Sequence, residues 1–299
     1  MNIREYYRYA VEELKSANIE APELEAGVML CHVLKCDRVY LYSHYDRILD
    51  KEEMKLLREM LNKRFQNVPL QYIIGETEFM GLSFYVSPAV LIPRQDTETL
   101  VEECVKLVSM INKANLVKSN MDKDNVDAKE IKILDMCTGS GCIAVSIAHY
   151  CPQCTLVACD ISQDALNIAR VNCERNGVSD RVKLYCGDLF ESLSGDEQFN
   201  IIVSNPPYIE TDVIPELQKE VKNHEPFLAL DGGMDGLDFY RKIILNAPRY
   251  LTNGGYLALE IGYNQGESVK KLMNQLFCDI VIYKDIGGND RVVIGRLKK

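Results

Sequence analysis

The chain has 299 residues, of which 47% are hydrophobic and 26% are charged, an ordinary globular composition that is long enough for two domains. Its formal net charge of -10 at pH 7 repels a polyphosphate backbone, which argues against a nucleic-acid-binding role for the chain as a whole. Because no apolar run could span a bilayer and residues 1–6 lack the apolar centre of a signal peptide, we expect a cytoplasmic protein that does not bind membranes.

The 11 cysteines do not have the pattern of a disulfide-stabilised protein. Their number is odd and they are spread through apparent strands and helices, so we predict reduced thiols. Cys151 and Cys154 have the spacing of half a zinc site, but no second pair follows at finger or ribbon spacing. The four histidines form no cluster either, and we therefore predict no metal site.

The first part of the chain has the apolar spacing of helices. Apolar side chains recur at helical spacing across residues 4–65, and charged residues fill the other faces. Asp50 and Glu53 have the spacing of a capping box, which predicts the start of the last long helix. Residues 1–64 hold 11 Lys and Arg against 12 Asp and Glu, so the predicted helical domain, 1–66, offers no basic surface for DNA.

Residues 67–92 are predicted to form a linker that contains a β-hairpin. The helical pattern breaks at Pro69, and residues 78–86 have the composition of two short strands that turn near Gly81. We place the second domain at residues 93–299.

Short apolar strands alternate with helix-sized segments in this second domain. The alternation indicates a parallel sheet with both faces covered. The last two strands are joined by the tight turn 287–290, which permits only antiparallel pairing, so the sheet should end in a mixed edge. Ahead of the first strand, residues 112–130 are rich in Lys, Asn and Asp, and we predict a mobile surface loop there. The predicted strands lie at 131–135, 155–160, 181–185, 199–203, 255–261, 280–283 and 291–295.

A loop of small residues, 135–141, follows the first of these strands. Small side chains let the backbone approach a ligand at the carboxyl end of the sheet, which indicates a nucleotide-cofactor loop. Gly139, Gly141 and Ala144 also fit the dinucleotide fingerprint, so the spacing alone does not separate NAD from S-adenosylmethionine (SAM). Asp135 would repel a pyrophosphate but suit the positive charges of SAM, which favours SAM. The structural alternative for this aspartate is a residue that ties down the loop.

Carboxylates stand at the ends of the second and third predicted strands. Asp160 could accept hydrogen bonds from both ribose hydroxyls of a nucleoside, and its alternative role is a helix N-cap. Asp188 could accept from the adenine amino group while Leu189 packs on the ring, and the alternative there is a plain turn. A nucleoside is thus predicted to lie along these strand ends.

The residues Asn205-Pro206-Pro207-Tyr208 directly follow the fourth predicted strand. The prolines have no N–H donors, so the exposed polar groups of this loop accept hydrogen bonds. The Asn205 side-chain oxygen and the Pro206 carbonyl could each accept one N–H of a planar amide or amine, which would turn the nitrogen lone pair towards a methyl donor. The ring of Tyr208 would pack against the planar group. The loop therefore predicts N-methylation, with the proton leaving after transfer.

With these residues in hand, the chain resembles the HemK/PrmC family, whose members methylate the glutamine side-chain amide in the Gly-Gly-Gln loop of peptide-chain release factors. The resemblance covers nearly the whole chain. It implies a Rossmann-like class I SAM-dependent methyltransferase domain, mostly parallel with an antiparallel last strand, and a small all-helical N-terminal domain that helps to dock the release factor. The motifs that carry it are Pro69-Leu-Gln-Tyr-Ile-Ile-Gly75, Leu91-Ile-Pro-Arg94, Asp96-Thr97-Glu98, the loop 135–141, Asn205-Pro206-Pro207-Tyr208, Glu225-Pro226, Leu228-Ala-Leu230 and Asp235-Gly-Leu-Asp238.

Two positions depart from the family pattern. Cys137 stands where the family usually has glycine, and Gln95 stands where it usually has proline. We expect an ordinary φ at Cys137, because a positive φ would strain a cysteine by about 1 kcal/mol or more. The implied cofactor-binding residues are Asp135, Cys137, Thr138, Gly139, Ser140, Gly141, Asp160, Asp188, Leu189 and Asn205. The implied catalytic residues are Asn205, Pro206 and Tyr208, and these bind the substrate together with Pro207.

Three other functions remain open on the sequence. An adenine amino group fits the same Asn-Pro-Pro-Tyr loop after base flipping, although the chain offers no basic domain. A nicotinamide-dependent oxidoreductase would use the fingerprint at 139–144 but leaves 205–208 without a role. A non-catalytic protein-binding module would keep the fold only as a scaffold. We expect a monomer that acts on release factors without binding nucleic acid directly.

Overall fold

The structure is a computed structural model that describes residues 1–121 and 130–299. No helix within these two ranges is both long and apolar enough to cross a membrane. The helices are α1 (Ile3–Ser16), α2 (Pro22–Leu34), α3 (Arg38–Ser43), α4 (Lys51–Phe65), α5 (Leu70–Ile74), α6 (Glu98–Met121), α7 (Cys142–Tyr150), α8 (Gln163–Arg175), α9 (Lys219–His224), α10 (Asp238–Tyr250) and α11 (Gly266–Met273). The strands are β1 (Glu76–Phe79), β2 (Leu82–Tyr85), β3 (Ile131–Met136), β4 (Cys154–Asp160), β5 (Val182–Cys186), β6 (Phe199–Ser204), β7 (Leu251–Glu260), β8 (Phe277–Lys284) and β9 (Asp290–Leu297).

The first compact unit comprises Met1–Glu76 together with Gln218–His224. Helices α1 to α5 surround its apolar core, in which Tyr6 and Leu57 are fully buried. The unit is longer than the predicted domain 1–66, because α5 also packs on this core and because α9, predicted as part of the second domain, belongs here.

Two polar interactions shape this unit. The predicted capping box at the start of α4 is confirmed, since Glu53 N–H donates to Asp50 Oδ1 at 2.8 Å and Asp50 N–H donates to Glu53 Oε2 at 2.9 Å. Arg64 on α4 is only 2% exposed; its Nε donates to Glu25 Oε2 at 2.7 Å, and its guanidinium also pairs with Glu220. The pair with Glu220 ties α9 to α4, because a buried guanidinium is stable only when carboxylates compensate its charge.

The second compact unit comprises Thr77–Leu217 together with Glu225–Lys299 and contains a seven-stranded sheet. The strand order is β5-β4-β3-β6-β7-β9-β8; the first five pair in parallel, and β9 lies antiparallel between β7 and β8. Helices α6, α7 and α8 pack on one face, and α10 and α11 pack on the other. The predicted α/β fold, its strands and its mixed edge are therefore confirmed.

The predicted hairpin is present as β1 and β2. Its two turn residues, Met80 and Gly81, both have positive φ, 52° and 69°, as a two-residue type I′ hairpin turn requires. Asn172 on α8 holds the hairpin: its side chain accepts from Tyr85 N–H at 2.7 Å and donates to the carbonyl oxygens of Tyr85 at 3.0 Å and Ser140 at 2.8 Å. One buried amide thus joins the hairpin to the loop that follows β3.

The predicted loop at residues 112–130 is wrong over residues 112–121, where α6 continues. The chain has no glycine or proline from Glu98 to Asp135, so nothing in the sequence ends the helix early. Lysine is a good helix former and Asn is tolerated on an exposed face, which is why a polar segment can remain helical. The remainder of that prediction, 122–129, lies outside the described residues.

The strand order reverses between β3 and β6, which lie side by side. Strands β4 and β5 continue from β3 on one side, and β7 continues from β6 on the other. Ligands of open α/β sheets bind at such a switch point, outside the carboxyl ends of the strands. The loops 135–141 and 205–208 leave β3 and β6 at this point, which brings the two predicted binding loops together.

Candidate active site

A cavity of about 260 Å³ lies at the switch point of the sheet. It is lined by residues that follow the four neighbouring strands β5, β4, β3 and β6, together with residues from the segments 89–97 and 226–242. Most of the predicted site residues meet on its wall. Those that line it are Cys137, Thr138, Gly139, Ser140, Asp160, Asp188, Leu189, Asn205 and Pro207.

The loop after β3 turns tightly, as its small residues predict. Gly139 and Gly141 have φ of 54° and 79°, and the turn is closed by Gly141 N–H donating to Thr138 O at 2.8 Å. Gly141 is not among the residues that line the cavity, and its cofactor contact remains a prediction. A Cβ at this position would lie 3.1 Å from Ala169 Cβ on α8, so glycine is needed there for close packing of the loop on that helix.

Cys137 has a positive φ of 61°, so the expectation of an ordinary φ is wrong. β3 ends one residue earlier, and the chain turns at once so that Thr138 N–H donates to Cys159 O of β4 at 3.0 Å. A residue with a Cβ is strained in this left-handed conformation by about 1 kcal/mol or more. The cysteine therefore occupies a position whose backbone favours glycine.

The protein should be more stable with glycine than with alanine at position 137. At a position inside a helix, the opposite order should hold. Cys137→Gly and Cys137→Ala remove the same thiol, so their difference isolates the Cβ, and we expect the glycine variant to be more stable by about 1 kcal/mol. Cys173 is also buried but lies within α8, where Cys173→Gly should be less stable than Cys173→Ala by about 1 kcal/mol. Urea unfolding of the four variants measures both differences. The same order at both positions would contradict the left-handed backbone at 137.

Asp135 lies behind the loop and is fully buried. Its Oδ2 accepts from Thr138 Oγ1 at 2.6 Å and from Ala144 N–H at 3.2 Å, and its Oδ1 has no hydrogen-bond partner among the described residues. Burial raises the pKa of Asp135 to about 7. These hydrogen bonds support the alternative role of tying down the loop, while a direct contact between Asp135 and the cofactor remains a prediction.

Asp160 lies on the cavity wall at the end of β4. Its two carboxylate oxygens accept from Ser162 N–H at 2.9 Å and from Gly139 N–H at 2.8 Å, so it positions the glycine loop. Burial raises its pKa. Ser162 caps α8 by accepting from Ala165 N–H at 3.2 Å, so the N-cap alternative for Asp160 is wrong. Each carboxylate oxygen keeps a lone pair that a ribose hydroxyl could occupy.

Asp188 and Leu189 form the corner that follows β5 and line the cavity. Leu189 has a positive φ of 49° and is 9% exposed. The corner is tight, because a Cβ on Gly187 would lie 2.8 Å from Ser192 Cβ. The Asp188 side chain makes no capping hydrogen bond, and Leu189, which is strained by its positive φ, adds an apolar side chain to the cavity wall.

Asn205 lies on the cavity wall directly after β6. Its Nδ2 donates to Thr97 Oγ1 at 3.3 Å, whereas its Oδ1 makes no hydrogen bond among the described residues. The carboxamide therefore has its donor group held by protein and its acceptor oxygen unused. Pro207 lines the cavity beside it and, as a proline, offers no N–H donor there.

Pro206 and Tyr208 are not among the residues that line the cavity, and their contacts with the target group remain predictions. Pro206 is buried, and the Tyr208 ring packs on the core between the sheet and α10. Burial raises the pKa of the Tyr208 hydroxyl, and the nearby Glu260 carboxylate raises it further. A tyrosine beside a buried acid places its ring in the core and its hydroxyl at the acid, which is why it lies beneath the loop.

Gln265 and two closely packed glycines hold the backbone of Tyr208. Gln265 Nε2 donates to Tyr208 O at 2.9 Å and to Gly236 O at 3.3 Å, while Gln265 Oε1 accepts from Gly262 N–H at 3.0 Å. A Cβ on Gly232 would lie 2.7 Å from Tyr208 Cα, and a Cβ on Gly236 would lie 2.4 Å from Tyr208 O. Two glycines and one amide thus fix the end of the loop 205–208.

Comparison with known proteins decides the family. Two family models match the chain, the PrmC N-terminal domain at residues 5–75 and the methyltransferase small domain at residues 112–233. A release factor glutamine methyltransferase from Geobacter sulfurreducens is 43% identical over 285 residues, which cover 95% of this chain and 93% of the relative. One from Clostridium acetobutylicum is 38% identical over 98% of both chains. This chain belongs to the release factor glutamine methyltransferase family.

The fold agrees with that membership. A solved methyltransferase from Pyrococcus furiosus superposes with a TM-score of 0.50 at 20% identity, over 74% of this chain and 91% of that one. At this level of identity the likeness concerns the fold alone, and it confirms the predicted Rossmann-like methyltransferase sheet. The chain is thus a SAM-dependent methyltransferase, and the predicted resemblance to HemK/PrmC is confirmed.

Several residues of this methyltransferase site were not predicted as site residues. Glu225 accepts from Ile92 N–H at 3.4 Å and pairs with Arg94, which joins two segments of the cavity wall. Their motifs are part of the family resemblance, but nothing in the sequence indicates a role for the individual side chains. The cavity residues found only in the structure include Leu91, Pro93, Arg94, Thr97, Pro226, Leu228, Ala229, Phe239 and Lys242.

Proposed function

We propose that this chain transfers the methyl group of SAM to the side-chain amide nitrogen of the glutamine in the Gly-Gly-Gln motif of peptide-chain release factors. The observation that carries the proposal is the Asn205 carboxamide, whose nitrogen donates to Thr97 and whose unused oxygen stands on the same cavity wall as the cofactor loop. Both curated relatives described above are named for this activity.

The residues on the cavity wall fit SAM. Asp160 offers carboxylate lone pairs to ribose hydroxyls, Asp188 offers an acceptor to the adenine amino group, and Leu189 offers an apolar face to the ring. Gly139 and its neighbours leave room for a ligand, since nothing lies within 4 Å of a Cβ built on Gly139. SAM, when bound, supplies an electrophilic methyl group on a sulfonium.

Asn205 would orient the target glutamine. Its Oδ1 accepts one N–H of the substrate amide, which places the nitrogen lone pair away from Asn205 and lowers the energy of the positive charge that develops on nitrogen. Pro207 restricts the loop, so the acceptor is positioned before the substrate arrives. The cavity wall includes no histidine among the described residues, and none is needed because the proton leaves the nitrogen after transfer.

The helical N-terminal unit would dock the body of the release factor. Supporting this, the family model for the N-terminal domain matches residues 5–75, and the unit has its own buried core, so it can present a stable surface. We propose that the chain acts as a monomer. Sedimentation velocity tests the monomer, and a dimer at working concentrations would contradict it.

The test of the function is transfer of labelled methyl from SAM. Four acceptors are compared: an intact release factor, the same factor with the glutamine of its Gly-Gly-Gln motif replaced, a short peptide spanning the motif, and adenine-containing DNA. We expect label on the intact factor, none on the glutamine variant or the DNA, and a much lower kcat/KM on the peptide because it lacks the docking surface. Label on DNA would overturn the substrate assignment, and equal rates on factor and peptide would overturn the docking role.

A further inference from the structure

A cluster of buried polar side chains, Thr97 and Glu260, lies next to Asn205. Thr97 and Glu260 are each 2% exposed, and they approach the loop 205–208 from two elements far apart in sequence, the turn before α6 and the end of β7. Thr97 Oγ1 accepts from Asn205 Nδ2 at 3.3 Å. Thr97 also lines the cavity, so the cluster contacts the proposed substrate-binding amide at the edge of the site.

The Glu260 carboxylate orders the hydrogen bonds of this cluster. It interacts with the Thr97 hydroxyl and with the Tyr208 hydroxyl, and the Arg291 guanidinium also faces it. Burial raises the pKa of Glu260 to about 7 even though these hydroxyls and Arg291 favour the charged form, so the group is mostly ionised at pH 8.5. The Glu260 Oε2 atom has no hydrogen-bond partner among the described residues, and an ionised carboxylate only accepts, so a hydroxyl that bonds to this group must donate its single hydrogen.

A hydroxyl that has donated its hydrogen to Glu260 can only accept from its other neighbour. Thr97 Oγ1 must then accept from Asn205, which requires the NH₂ group of the carboxamide to face Thr97 and the oxygen to face the cavity. Without the hydroxyl, the planar carboxamide could rotate by half a turn with little change in shape. Its NH₂ group would then meet the N–H groups of the substrate amide, and two donors would oppose each other.

We propose that Thr97, held by Glu260, is a positioning residue that sets which way round the Asn205 carboxamide stands. The proposal rests on the proposed function, because it requires the Asn205 oxygen to accept from the target amide. Thr97 acts through Asn205 and touches neither reacting atom, so its whole contribution passes through the orientation of one side chain.

The test compares Thr97→Val, which keeps the shape but removes the hydroxyl, with Thr97→Ser, which keeps the hydroxyl. At pH 8.5 we expect Thr97→Val to lower kcat on the order of 10- to 100-fold with a smaller change in KM, because a misplaced neighbour of an active group typically costs that much. Thr97→Ser should stay within a few-fold of the unsubstituted protein. Thr252→Val, the same substitution on β7 away from the cavity, is the matched control and should leave kcat unchanged.

A double-mutant cycle separates positioning from general damage. If Thr97 acts only through Asn205, then Asn205→Ala with Thr97→Val should be no slower than Asn205→Ala alone. Thr97→Ala provides the same comparison if the valine variant does not fold, and SAM affinity by calorimetry should be unchanged in the folded variants.

Three results would overturn the proposal. They are unchanged kcat in Thr97→Val, equal losses in the serine and valine variants, and additive losses in the cycle. Failure of the unsubstituted protein to methylate the release factor would instead overturn the proposed function, so the two failures are distinguishable.

Discussion

Replacing Asn205 with alanine should lower kcat for release-factor methylation by about 10²-fold or more, because the variant loses the side-chain oxygen on the cavity wall that we propose accepts from the substrate amide. Loss of a single preorganised group that stabilises developing charge typically has an effect of this size. Stability should change little, since the only side-chain hydrogen bond lost within the described residues is the one to Thr97. Steady-state transfer of labelled methyl, at saturating SAM, measures the loss.

A matched control separates the role of Asn205 from a general effect of removing an asparagine. Asn167 is exposed on α8 and bonds only neighbours on its own helix, so Asn167→Ala should keep full activity. SAM binding by calorimetry should persist in Asn205→Ala, because Asp160 and the glycine loop remain in place. An Asn205→Ala enzyme with near-normal kcat would remove this residue from the mechanism.

The fold was largely predictable because strands and glycine loops leave local signals. Short β-branched runs separated by helical stretches predicted the strands of the large sheet, and the turn at 287–290 predicted the antiparallel edge. The insertion of β9 between β7 and β8 was not predicted, because strand order depends on contacts between distant segments. The length of α6 was underestimated because its C-terminal part is polar and was interpreted as a loop, although it contains no residue that ends a helix.

The site was predictable in position but not in the direction of each side chain. Asp135, Pro206 and Tyr208 stand where the motifs indicate, yet none lines the cavity, because burial against the core decides which way a side chain turns. The backbone conformation of Cys137 was likewise not predicted from the sequence. A cysteine in place of a glycine suggested an ordinary φ, but the hydrogen bond from the next residue to β4 imposes the left-handed turn.

Thr97 and Gln265 could not have been assigned roles from the sequence alone. Each supports the loop 205–208 from a segment more than 50 residues away in the chain, Gln265 at a separation of 57 and Thr97 at 108. The sequence carries the residues but not the distances between them. Loop positions that depend on such support should be sensitive to changes that leave the motif itself untouched.

Gly236→Ala tests that dependence and should both destabilise the protein and inactivate it. Gly236 has a φ of 67°, and a Cβ there would lie 2.4 Å from Tyr208 O and 2.6 Å from Gln265 Nε2, so the loop must shift to make room. Backbone strain and overpacking together should cost about 2–4 kcal/mol. Because the displaced carbonyl belongs to the loop that carries Asn205, kcat should fall on the order of 10-fold or more.

Gly177 provides the control for the strain alone. It has the same φ of 67°, but nothing lies within 4 Å of a Cβ built on it, so Gly177→Ala should cost only about 1 kcal/mol and leave kcat unchanged. Urea unfolding and methyl transfer, measured on both variants, give the two differences. Equal stability losses would mean that the close approach of Gly236 to Tyr208 is not required, and full activity in Gly236→Ala would mean that the loop does not depend on this contact for the position of Asn205.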